Sequence, residues 1–128
     1  LYMKEVGEAD IAYPNLVRML GRCNKPLMLS EFGSMSLLGC NTGADHLGSE
    51  DHHAEIIRDA YKSFQHLPAL VGYAPWVLTD IRVPLHWRWY NEGKALFRYG
   101  FLDENWQPKK AYHALKEGVA ELKNARSR

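Results

Sequence analysis

Apolar residues recur at helical spacing in three stretches of this chain and run unbroken in two short ones. Tyr13, Leu16, Val17 and Leu20 follow the i, i+3, i+4, i+7 spacing of an amphipathic helix, and Gly21 and Asn24 mark its end. Leu27, Met28 and Leu29 form a continuous apolar run closed by Ser30, which predicts a short buried strand over 27–30. A polar stretch over 33–48, with Gly39 and Gly43 inside it, reads as a long loop. Ser49 then offers an N-cap, and Glu50 and Asp51 suit the positive end of a helix. Ala54, Ile57, Ala60, Tyr61 and Phe64 mark the inward face of that second helix, over 49–65, and Pro68 breaks the chain after it. Residues 69–73 form a second short strand, extended by Ala74, Pro75 and Trp76; proline is tolerated at a strand end. Residues 78–105 read as a long loop region rich in Trp, Arg and Tyr. Pro108 is expected as the first residue of a third helix, with Ala111, Tyr112, Leu115, Val119 and Leu122 facing inward. Residues 124–128 are expected to fray.

The order is helix, strand, helix, strand, helix, with a long loop after each strand. Strands alternating with helices imply a parallel sheet, and an α/β fold class. Two strands do not complete such a sheet, because each leaves an unpaired edge. A closed eight-stranded barrel takes about 250 residues. The 128 residues therefore read as one domain, residues 1–128, forming a partial (β/α)8 TIM barrel: its C-terminal portion, with the last two βα units. Such a piece is expected to need the remainder of the barrel, or another chain, to complete the fold.

Composition narrows the function. Apolar residues make up 46% and charged residues 24%, a globular balance. The net charge of +1 supplies no basic stripe for nucleic acid, and no apolar run reaches membrane-spanning length. Seven Tyr, four Trp and four Phe are many for this size; such rings suit sugar faces, although most rings are core. Cys23 and Cys40 do not make a disulfide framework. The chain opens on Leu1, so the natural N-terminus is expected to be absent or processed, and no targeting signal can be judged.

The candidate chemistry starts at Glu31. It closes the run Lys25-Pro-Leu-Met-Leu-Ser-Glu31 and precedes Phe32-Gly33, so a lone carboxylate stands at a strand end. In β/α barrels the C-terminal strand ends carry the chemistry. The structural alternative is a strand-end Glu paired with a surface Arg. His46, His52 and His53, with Asp45, Glu50 and Asp51, fit no zinc spacing and are expected to form a solvated helix start. No phosphate-loop pattern is present.

Four motifs in order carry a resemblance. They are Lys25-Pro26 to Glu31-Phe32-Gly33; Pro75-Trp76 through Asp80-Ile-Arg82-Val-Pro84; Gly100-Phe-Leu-Asp103; and Pro108-Lys109-Lys-Ala111-Tyr112. Over roughly residues 13–117 the chain resembles the C-terminal part of the catalytic barrel of family-two glycoside hydrolases, which include β-galactosidases, β-glucuronidases and β-mannosidases. The resemblance implies a retaining exo-β-glycosidase acting on a carbohydrate substrate, with no cofactor and no metal. It matches Glu31 to the catalytic nucleophile and Trp76 to the aromatic floor of the sugar site. Asp80 and Arg82 match a pattern of part of the family and are candidate substrate-binding residues. Asp80 can equally hold its loop through backbone hydrogen bonds, and Arg82 can pair with Asp80 or reach a sugar hydroxyl.

Two departures matter. The family's acid/base follows an Asn upstream of the nucleophile; the Asn91-Glu92 pair here lies downstream, so the acid/base is missing from this chain. The family commonly carries Asn-x-Lys-Gly before the final helix, and in glucuronidases that Asn and Lys hold the sugar carboxylate. Here the stretch is Phe97-Arg98-Tyr99-Gly100, which points to a neutral sugar. The alternative function is a non-catalytic barrel remnant, serving as a sugar-binding or scaffold piece with a partner chain.

Overall fold

The computed structural model describes Arg18, Arg22, residues 25–82 and residues 96–127. Its elements are β1 (Leu27–Phe32), α1 (Glu50–Phe64), β2 (Leu70–Pro75), β3 (Ile81–Arg82), β4 (Leu96–Phe97) and α2 (Lys110–Arg126). The helix expected over 13–20 lies outside the described residues, apart from Arg18, which is helical.

β1 and β2 pair in parallel, with Leu27 opposite Leu70 and Phe32 opposite Pro75. Helix α1 connects them, forming the βαβ unit that the alternating pattern implies. The chain is thus an α/β structure. One face of the strand pair packs against both helices in a shared core of Phe32, Ala54, Ile57, Tyr61, Phe64, Leu70, Ala111, Ala114 and Leu122. Aromatic contacts tie this core together: Phe32 meets Phe64 edge-on at 5.3 Å, and Phe64 stacks on Tyr73 at 4.6 Å. On the other face, Met28 is 66% exposed and Val71 is 60% exposed.

Helix α1 starts where its cap chemistry dictates. Ser49 is extended, and its hydroxyl accepts from the Asp51 amide at 3.1 Å. The Glu50 carboxylate is buried and accepts from the Gly39 amide and the Lys110 amide, each at 2.7 Å. That single side chain joins the loop after β1, the start of α1 and the start of α2. It also accounts for an expectation that fails: His52 and His53 are buried, not solvated, because the loop and α2 close over this helix start.

Helix α2 begins at Lys110, with Lys109 as its N-cap residue, rather than at Pro108. Pro108 instead bridges to Leu102 in extended backbone. The buried face is Ala111, Ala114, Gly118 and Leu122; Tyr112, Leu115 and Val119 pack at its margin. The expectation that 124–128 frays is corrected over 124–126, which are helical; Arg128 lies outside the described residues. The helix runs to Arg126, whose guanidinium donates to the carbonyls of Phe64, Leu67 and Leu70 at 3.1–3.3 Å.

The expected loop over 78–105 contains structure. β3 and β4 pair antiparallel, Ile81 with Phe97 and Arg82 with Leu96. The Asn91-Glu92 pair lies outside the described residues.

Candidate active site

The strand pairing decides where Glu31 stands. Leu27 and Leu29 pack toward the helices, and alternation would send Phe32 to the opposite face. The ladder is irregular between Leu29 and Phe32, which lets Phe32 join the helix-side core. Glu31, next to it near the C-terminal end of β1, is half-buried.

Trp76 follows the end of β2, and its amide donates to the Phe32 carbonyl at 2.8 Å. Parallel pairing therefore brings Glu31 and Trp76 to neighbouring C-terminal strand ends. Trp76 is half-buried and is joined to Val77 by a cis peptide bond.

The segment after Trp76 is zipped to residues 99–102. Val77 donates to the Tyr99 carbonyl at 3.2 Å, Phe101 to Val77 at 3.0 Å, Leu102 to Leu78 at 2.9 Å and Asp80 to Leu102 at 3.0 Å. The Asp80 side chain is fully enclosed. Its Oδ1 accepts from the Gly100 amide at 2.8 Å and from Lys109 Nζ at 2.7 Å. Arg98 approaches its Oδ2 at 3.7 Å and the Glu104 carboxylate at 3.5 Å. Asp80 thus meets Lys109 and Arg98 rather than Arg82. Arg82 lies on β3, exposed.

Behind this edge sits a second buried group. His53 Nδ1 lies 3.0 Å from the Ser36 hydroxyl, and the ring packs 5.1 Å from that of Phe101. Burial drives its pKa down to about 3, helped by the positive charge of Lys109 and by His52, so the imidazole is neutral. His52 Nδ1 donates to the Ala44 carbonyl at 2.8 Å. Among the described residues no group of three His, Cys, Asp or Glu is placed to hold a metal ion. Cys40 is a free thiol, and Cys23 lies outside the described residues.

Lys109, Ser36 and Gly100 carry the site's framework without having been singled out by sequence for any role. The signal for Lys109 was its place in the Pro108-Lys109-Lys-Ala111-Tyr112 motif, where a lysine at a helix start reads as solvated.

No protein-family model matches the chain, and no curated protein matches it in sequence. Solved structures do. The chain is similar to a family-two (GH2) β-galacturonidase from Eisenbergiella tayi bound to galacturonate, with TM-score 0.77 and 20% identity over 94% of this chain and 22% of that one. It is similar to a Faecalibacterium prausnitzii β-glucuronidase, with TM-score 0.73 and 25% identity over 94% and 21%. A β-D-glucuronidase from Dictyoglomus thermophilum matches with TM-score 0.78 and 21% identity over 94% and 22%. The chain spans about a fifth of the length of these proteins. Its fold is that of one part of a glycoside hydrolase of the family its motifs resemble.

Proposed function

We propose that this chain is the C-terminal part of the (β/α)8 catalytic barrel of a retaining exo-β-glycosidase, with Glu31 as nucleophile and Trp76 as the floor of the sugar site. The observation that carries the reading is the placement of Glu31 and Trp76 at adjacent C-terminal ends of parallel strands, where β/α barrels keep their chemistry. The exposed Met28 and Val71 share the sheet face opposite the helices, a face that the remaining strands of a barrel would cover. The partner is therefore the remainder of the barrel.

Retaining glycosidases hold two carboxylates about 5 Å apart. Glu31 would attack the anomeric carbon as a carboxylate while the bond to the leaving oxygen breaks. A second carboxyl, supplied by the rest of the barrel, protonates that oxygen and then activates the water that releases the sugar. This chemistry needs no cofactor and no metal. Asp80, enclosed and bonded to the Gly100 amide, serves the substrate by holding its loop; Arg82, exposed on β3, reaches a sugar hydroxyl.

The sugar we propose is neutral. The similar solved structures are uronidases by name, but Phe97 and Tyr99 replace the Asn and Lys of the carboxylate clamp, and Arg98 is already engaged by Asp80 and Glu104.

The test uses the full natural chain containing residues 1–128. A mechanism-based fluorosugar should label Glu31, and Glu31→Gln should retain sugar binding while abolishing turnover. Label on another residue, or near-normal turnover in the variant, removes Glu31 as nucleophile. Sugar binding with neither label nor turnover would instead support the non-catalytic remnant.

A further inference from the structure

Two loops descend from the proposed site, one after Glu31 and one after Trp76. Both end on the same ammonium. Lys109 Nζ is wholly enclosed and donates to the Ser36 carbonyl at 2.7 Å and to Asp80 Oδ1 at 2.7 Å. A longer contact, 3.5 Å, reaches the Arg98 carbonyl. Ser36 lies five residues beyond Glu31, Asp80 lies four beyond Trp76, and Arg98 adjoins the segment zipped to the Trp76 loop. The three ammonium protons thus find three acceptors on three different segments. The Ser36 amide donates to the Arg98 carbonyl at 2.9 Å, so the segments also touch each other around the cation. The lysine itself is fixed from below, because its amide donates to the Phe101 carbonyl at 2.9 Å.

We propose that Lys109 is the positioning residue of the site: its buried ammonium holds the Glu31 loop and the Trp76 loop in register with each other. The inference rests on the proposed glycosidase reading for its effect on turnover, and on geometry alone for its effect on the loops. Net stability is a weak reason for the arrangement. Removing two charges from water is costly, and well-packed apolar residues commonly replace a buried ion pair without loss. An apolar residue at 109, however, has no donor for the Ser36 carbonyl, and the two loops lose their common anchor. A methionine fills similar volume and removes only the ammonium. Asparagine at position 80 keeps an oxygen for the Gly100 amide while removing the charge that Lys109 balances.

The experiment compares Lys109→Met with the double variant Lys109→Met/Asp80→Asn, in the full natural chain. Lys109→Met should lower the melting temperature, because it removes the nearer cation from a buried carboxylate and leaves it Arg98 at 3.7 Å and the Gly100 amide. The double variant should recover most of that loss. In both variants, amide hydrogen exchange over residues 31–37 and 76–80 should be faster than in wild type. Turnover should fall about 100-fold in both, the scale expected when reacting groups are misplaced by about an ångström. Fluorosugar labelling of Glu31 should slow in parallel. Recovery of wild-type exchange in both loops by the double variant would overturn the proposal, since packing alone would then position them. A wild-type chain that hydrolyses no β-glycoside refutes the glycosidase reading, and the exchange measurement still decides the role of Lys109.

Discussion

Gly33 lies directly against the Trp76 carbonyl: a Cβ placed on Gly33 would stand 2.8 Å from that oxygen. The backbone there has φ +146°, which side chains rarely adopt. Gly33 is therefore where the turn out of β1 passes the turn out of β2, and both conformation and space demand glycine. Gly33→Ala should destabilise the fold by about 1–3 kcal/mol, the usual cost of a strained non-glycine backbone. It should also push the Glu31 and Trp76 strand ends apart. A chemical-denaturation midpoint equal to that of wild type would show that the close approach is not a constraint.

His53 predicts an acid limb of stability. Its pKa in the fold is about 3, below the ordinary 6.5, because burial disfavours the imidazolium and Lys109 and His52 repel it. As pH falls below 6.5 the unfolded chain takes up a proton that the folded chain refuses. The stability contributed by neutral His53 is therefore complete above pH 6.5 and is lost progressively toward pH 3. His53→Gln, which does not titrate, should flatten the fall of the denaturation midpoint across this window. Identical slopes for wild type and variant would mean that His53 is not held neutral.

The βαβ unit was legible because its apolar signals are periodic. Leu27 to Leu29 form one run, and Ala54, Ile57, Tyr61 and Phe64 share one helical face. β3 and β4 escaped because two-residue strands have no period to detect; long-range pairing between Ile81 and Phe97 creates them. His52 and His53 look solvated beside Glu50 and Asp51, yet a loop eight to seventeen residues upstream covers them, an arrangement no local pattern encodes. Glu31 and Trp76 could be singled out as strand-end residues. Lys109 could not be given a role, since its acceptors lie 11, 29 and 73 residues away in the chain.

The two helices pack tightly at Gly118. A Cβ there would meet Tyr61 Cγ at 2.6 Å and Tyr61 Cβ at 2.8 Å. Within a helix, alanine is ordinarily favoured over glycine by about 1 kcal/mol. Here the sign should reverse. Tyr61 is buried in the shared core against Phe32 and Phe64 and cannot retreat, so Gly118→Ala overpacks the interface. Overpacking costs about 1–3 kcal/mol, so against the gain in helix propensity the expected net loss reaches about 2 kcal/mol. A raised melting temperature for this variant would show that the helices separate easily.

Arg126 closes the far end of the molecule. Its Nη2 reaches the carbonyls of Phe64, Leu67 and Leu70, and its guanidinium lies 5.4 Å from the centre of the Tyr73 ring. These carbonyls run from the last residue of α1 through the connecting turn to the first residue of β2, where the helix has run out of its own donors. A delocalised, flat cation can bond several carbonyls and lie on a ring at once, whereas an ammonium acts as a compact point charge. Arg126→Lys should therefore restore only part of what Arg126→Met loses. The side chain is exposed, so solvent screens its charge, and the full loss should be roughly 1 kcal/mol, the net worth of an ordinary hydrogen bond. Hydrogen exchange locates the effect better than global stability does. In Arg126→Met, protection should fall in residues 64–70 and in the last turn of α2, while the Glu31 loop keeps its wild-type rates. Unchanged protection over 64–70 would show that the turn holds itself and that the guanidinium merely rests on it.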